Sequence, residues 1–150
     1  MARPVAILLA LLLAAPALAQ SIRLGELNEY KQFPAFLDPY RKGMELAVDE
    51  INAAGGVLGR KIEVVSRDDN GVPGDAVRVA EELLTRERVA LLMGTFASNI
   101  GLAVADLAKR RHVLFIAAEP LTDKIVWEDG NRYTFRLRAS TYMQTAMLVP

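Results

Sequence analysis

The chain has 150 residues, 52% of them hydrophobic, and its 18 Lys and Arg balance 18 Asp and Glu. That size suits one soluble domain at most, and the balanced charge shows no bias toward nucleic acid or acidic partners. With no cysteine, disulfides and thiolate metal sites are excluded, and stability must come from core burial.

The first segment reads as an address. Arg3, the apolar run from Val5 to Ala15 and the small-x-small pattern Ala17-Leu18-Ala19 form an export signal, with cleavage expected between Ala19 and Gln20. A transmembrane helix needs about 20 apolar residues, and Pro16 and Gln20 interrupt this run early. Residues 1–19 are therefore assigned to a signal peptide and the mature chain to the periplasm. No cysteine follows the apolar run, which excludes a lipid anchor through that residue.

Ile22, Leu24 and Leu27 mark a short first strand, and Asn28 to Leu37 a loop rich in polar, aromatic and proline residues. Asp38-Pro39 is expected to start a helix, with Asp as N-cap and Pro at the first helical position. Tyr40, Met44, Ala47, Val48 and Ile51 follow at helical spacing and predict one buried stripe, which Gly55-Gly56 ends. The second strand, Lys61 to Ser66, runs into Arg67-Asp68-Asp69-Asn70-Gly71, where an Asp pair suits a turn better than a metal. Asp75 begins the second helix, with Val77, Ala80, Leu83 and Leu84 inward and a charged, solvated face that includes Arg78, Glu81 and Glu82.

The third strand, Val89 to Met93, stops at Gly94, and a polar turn opens into a helix from Ser98 to about Arg110. Ser98 is expected to be its N-cap, leaving the N–H groups of Asn99, Ile100 and Gly101 free to face an anion such as a small carboxylate. Most capping serines only cap, so this reading depends on its neighbours. Val113 to Ala117 forms the fourth strand, followed by Ala118-Glu119-Pro120-Leu121-Thr122-Asp123. Tyr133 to Arg138 forms the fifth, and a helix starts near Ser140 or Thr141. His112 has no partner to orient it for catalysis, and Trp127 reads as a packing anchor.

Strands alternating with helices through short connections predict an α/β fold with an open parallel sheet and helices on both faces. The loops at the strand carboxyl ends then gather along one edge, where open sheets bind ligands. No G-x-G-x-x-G follows the first strand, and there is no kinase-type phosphate loop, nucleophile elbow, zinc motif or oriented acid–base pair. No catalyst and no cofactor are expected.

Gly43 to Ala54 with Gly55-Gly56-Val57-Leu58-Gly59-Arg60-Lys61-Ile62-Glu63, then Asp68-Asp69, Pro73, Ala76 and Ala80, Gly94 with Ser98, and Tyr133-Thr134-Phe135-Arg136, together resemble one family. It is the leucine/isoleucine/valine-type solute-binding proteins of ABC transporters, with the type I periplasmic binding fold. The resemblance runs over essentially the whole mature chain. It implies a two-lobed protein that closes over an amino-acid-like small molecule and delivers it to an ABC permease in the inner membrane. It also implies that residues 20–150 are the opening part of the first lobe, with further segments completing the site.

Carried over by position, Ser98 resembles the serine that contacts the ligand carboxylate, beside the backbone of Ala97 to Asn99, and Phe36 falls where an aromatic residue covers the site. Thr122 and Glu119 lie in the loop that in the family carries small residues and a hydroxyl. Glu119 departs from that pattern, which opens the way to a cationic or amide-bearing ligand if it faces the pocket, or leaves it in solvent if it does not. A ligand-sensing receptor ectodomain of the same fold is the alternative, whereas a DNA-binding regulator would carry a helix-turn-helix where this chain has its apolar leader.

Overall fold

A computed structural model describes residues 20–149 of the chain; the expected signal peptide lies outside the described residues. Five strands alternate with four helices in chain order. They are β1 (Ile22–Asn28), α1 (Pro34–Ala53), β2 (Ile62–Asp68), α2 (Pro73–Thr85), β3 (Leu91–Gly94), α3 (Ser98–Arg111), β4 (Phe115–Ala117), β5 (Thr134–Arg136) and α4 (Thr141–Leu148), with a 3-10 turn at Asp123–Ile125 before β5. The sheet order is β2-β1-β3-β4-β5, and every neighbouring pair is parallel, as the alternating pattern predicts.

One face of the sheet is well covered. Val79, Ala80 and Leu83 of α2 and Ile100, Val104, Leu107 and Ala108 of α3 pack with Leu27, Val65, Leu92, Phe115 and Ala117 of the strands. Each fully buried Leu, Ile or Phe contributes about 1.5–3 kcal/mol. Gly25 sits under this layer because a Cβ there would lie 2.8 Å from Val89 Cγ2.

The opposite face is sparsely covered. In α1 only Leu37 is fully buried. Of the stripe expected to be buried, Tyr40, Met44 and Val48 are half-buried, whereas Ala47 and Ile51 are exposed. Glu26, Met93, Ile116 and Phe135 form one row across β1, β3, β4 and β5. Along it burial fades from complete at Glu26 to 56% exposure at Phe135.

Several boundaries correct the sequence reading. The first helix begins at Pro34, not after Asp38: the N–H groups of Phe36 and Leu37 both bond to the Phe33 carbonyl, and Pro39 lies inside the helix. Two prolines competed for the start, and the earlier one takes it because Gln32 and Phe33 already turn back onto the Glu29 carbonyl. Likewise α2 starts at Pro73, with Asp75 in its first turn. Ser98 is the first helical residue of α3 rather than its cap; Ala97 holds the cap position and has no polar side chain to cap with. At α4 the expectation holds, since Ser140 Oγ accepts from the Met143 N–H at 3.2 Å. His112 ends α3 in the left-handed region, φ 55°, and its ring stacks on Tyr133 with centroids 5.2 Å apart.

Candidate solute site at the β1–β3 crevice

The chain leaves β1 toward β2 on one side and returns to β3 on the other, so β1 and β3 are neighbours at the point where the strand order reverses. Loops beyond their carboxyl ends must diverge, and the space between them is where such sheets bind ligands. Three backbone bonds fix these loops. Thr95 donates to the Leu27 carbonyl at 2.7 Å, Ala118 to Gly94 at 2.9 Å and Glu119 to Thr95 at 3.3 Å. Gly94 and Thr95 both take positive φ, 109° and 62°. At Gly94 a Cβ would stand 2.4 Å from the Leu27 carbonyl oxygen, so only glycine fits.

The six residues singled out from sequence fall around this crevice, with different fates. Phe36, 66% exposed, lies in the first turn of α1, its ring centroid 5.8 Å from Phe96. Phe33 also stacks on Phe96, at 4.8 Å, so three aromatic rings make one apolar wall. Ala97, Ser98 and Asn99 open α3, with Asn99 exposed. Ser98 Oγ accepts from the Thr122 N–H at 3.2 Å, which joins the β3 and β4 loops and leaves the serine proton free to donate elsewhere. The Thr122 carbonyl accepts from Arg136 Nη1 at 3.1 Å. Glu119 is half-buried and forms an ion pair with Arg138, just beyond β5.

Sequence reasoning missed the acidic layer behind the crevice. Glu29, 2% exposed, sends Oε1 to accept from the Ala97 N–H at 3.1 Å. Glu26 is fully buried, and its Oε1 accepts from Asn28 Nδ2 at 2.8 Å and from the Tyr30 hydroxyl at 2.9 Å. Burial pushes the Glu26 carboxyl above its usual range, with the polar neighbours Ser66, Asn28 and Tyr30 pulling the other way. Asp69 is also fully buried, with Oδ1 accepting from the Gly71 N–H at 3.0 Å. Its pKa is pushed up to about 6, first by burial and then by the charges of Glu29, Asp68 and Glu26. Ile22, Leu24 and Leu27 mark only a short first strand, and the run Glu26-Leu27-Asn28-Glu29 at its end was the one available signal.

Among the described residues, no group of three His, Cys, Asp or Glu side chains is placed to hold a metal. The crevice is an open wall, and a hollow of about 270 Å³ elsewhere, lined by Leu102, Asp106, Lys109 and Asp129 among others, shares no residue with it.

Comparison with known proteins agrees with this architecture. Residues 32–150 match the family described as periplasmic binding protein. A Leu/Ile/Val-binding protein homolog from Brucella suis is 37% identical over 115 residues, which are 75% of this chain and 28% of that protein. The branched-chain amino acid transporter substrate binding protein LivJ of Streptococcus pneumoniae, solved with isoleucine, superposes with a TM-score of 0.73 at 31% identity, over 80% of this chain and 34% of its own. A solute binding protein of an ABC transporter from Rhodopseudomonas palustris, solved with 3,4-dihydroxybenzoic acid, gives 0.62 at 25% identity, over 80% and 32%. This chain thus spans about a third or less of each relative's length. By sequence over most of its length, and by a parallel sheet of the same layout, it belongs to the periplasmic binding protein family, among relatives of the leucine/isoleucine/valine-binding kind.

Proposed function

We propose that these residues are the opening part of the first lobe of an exported solute-binding protein that serves an ABC importer. The observation that carries this reading is the convergence, at the sheet's switch point, of an aromatic wall with a helix start and a hydroxyl. The wall is Phe33, Phe36 and Phe96, and the polar side is Ala97, Ser98, Asn99 and Thr122. An amino-acid-like molecule fits both: its carboxylate takes N–H donors at the start of α3 and the Ser98 hydroxyl, while its side chain lies against the rings. A second lobe then closes over the molecule, and an inner-membrane permease receives it. Cleavage after Ala19 would release the mature chain into the periplasm, and intact-mass measurement of periplasmic protein tests that step.

Calorimetry on the full-length protein carrying these residues, with a panel of amino acids and their amides, tests the site. Ser98→Ala is expected to weaken amino-acid binding by about 1–3 kcal/mol, the cost of leaving a charged acceptor short of one donor. Equal affinity for acids and amides would overturn the carboxylate assignment. A preference for cationic solutes that is lost in Glu119→Gln would instead place Glu119 in the pocket.

A further inference from the structure

The start of α3 is where an anionic group finds donors, yet the chain sends one of its own carboxylates there. Glu29 accepts from the Ala97 N–H, so one donor is already engaged and the positive end of the helix already faces a negative charge. It is backed by Glu26 and Asp69, both fully buried. No described cation forms an ion pair with Glu29. Arg138 pairs with Glu119, Arg136 Nη1 donates to the Thr122 carbonyl at 3.1 Å, and Lys31 Nζ donates to Asn70 Oδ1 at 3.3 Å. The Arg41 guanidinium lies 3.8 Å from the centroid of the Tyr30 ring, where its charge favours ionised Glu26. A second observation points the same way: Glu26 Oε2, Asn28 Oδ1, Asp69 Oδ2 and Thr95 Oγ1 are buried without partners among the described residues. Three of these four atoms only accept. Gly94, at the end of β3, touches this layer directly, since a Cβ there would lie 3.3 Å from both Asn28 Nδ2 and Glu26 Oε1. The inner wall of the crevice is therefore negative and rich in acceptors.

Resting on the site proposed above, we infer that Glu29 is a specificity residue, making the crevice select a solute that carries a cationic amino group beside its carboxylate and reject the same skeleton as a simple acid. At 2% exposure Glu29 acts through its charge behind the Ala97 amide rather than by contact with the solute. A bare carboxylate at the α3 start meets that charge uncompensated, whereas a zwitterion brings its own counter-charge. At an effective dielectric near 20, a unit charge roughly 6 Å away is worth enough to change affinity by about tenfold or more.

The test uses the full-length protein carrying these residues and two matched pairs: leucine with isocaproate, and phenylalanine with hydrocinnamate. Each pair differs only by the ammonium group. Calorimetry is expected to show at least one amino acid bound about tenfold or more tightly than its deaminated partner. Glu29→Gln keeps an oxygen to accept from Ala97 but removes the charge, and should shrink that ratio by about tenfold, mainly by strengthening binding of the simple acid. Asp69→Asn, which keeps the acceptor for Gly71, should shift the ratio the same way by less, and serves if Glu29→Gln proves too unstable by thermal melting. A ratio unchanged in folded variants shows that Glu29 is only a structural partner of α3 and overturns the inference while leaving the solute site standing. Wild-type preference for the simple acids overturns it too, and failure of all four compounds to bind overturns the amino-acid reading with it.

Discussion

Two residues set the crevice's geometry and its cost. Gly94 holds a φ of 109° against the Leu27 carbonyl, so Gly94→Ala combines left-handed strain with a backbone clash. Its expected effect is a loss of about 2 kcal/mol or more in urea unfolding, well beyond an ordinary surface change. Asp69 acts through protons. Its pKa rises from 3.8 in the unfolded chain to about 6 in the folded one, so the folded state binds the proton more tightly. Stability conferred by that proton is fully present below about pH 4 and is lost as pH rises to about 6. Asp69→Asn removes the charge but keeps the bond to Gly71. It should therefore add on the order of 1–3 kcal/mol at about pH 7 and nothing below about pH 4, as read by denaturant melts at the two pH values.

At the scale of elements, what propagates from residue to helix is the choice of partner for each terminus. Ser98 is spoken for by the Thr122 amide across 24 residues, so Ser98→Ala should cost about 1 kcal/mol even without ligand and speed hydrogen exchange at the Thr122 N–H. That bond gives Ser98 Oγ a partner outside its own helix, and the cap position falls to Ala97. Identity and order of the strands and helices were legible because each carries its own period of apolar residues, and the order and spacing of the segments from Gly43 to Arg136 together carried the family resemblance that the relatives bear out. Helix starts were less legible: Pro34 and Pro39 each satisfy the local rule, and the turn onto the Glu29 carbonyl decides between them. The α1 stripe was correctly phased in part, but periodicity says which residues share a face and nothing about what covers it. The loops of the site were readable as strand carboxyl ends. The reach of Glu29 to Ala97, 68 residues away, and the meeting of Phe33 with Phe96 were not, because no local pattern encodes contacts between loops.

Across the whole molecule the two faces of the sheet differ in what they demand. Leu83, 1% exposed among α2, β1 and β3 neighbours, should cost about 2–5 kcal/mol as Leu83→Ala in equilibrium unfolding. On the other face, Phe135 ends the row through Met93 and Ile116 and leaves more than half of itself in water. Phe135→Lys should leave stability nearly unchanged while lowering self-association of an isolated piece of residues 20–149, as measured by light scattering. The strand order has a further consequence, in time rather than in space. β1 is an interior strand, yet Ile22 must wait for Ile62 and Leu24 for Leu91 before either side of it is paired. Parallel neighbours cannot form through a tight hairpin, and a lone pair of strands is marginal in water. Synthesis from the amino terminus therefore delivers β1 before either of the strands that flank it. Until β3 has emerged, the stretch behind the apolar leader has no stable sheet to join, a delay that suits the export proposed above.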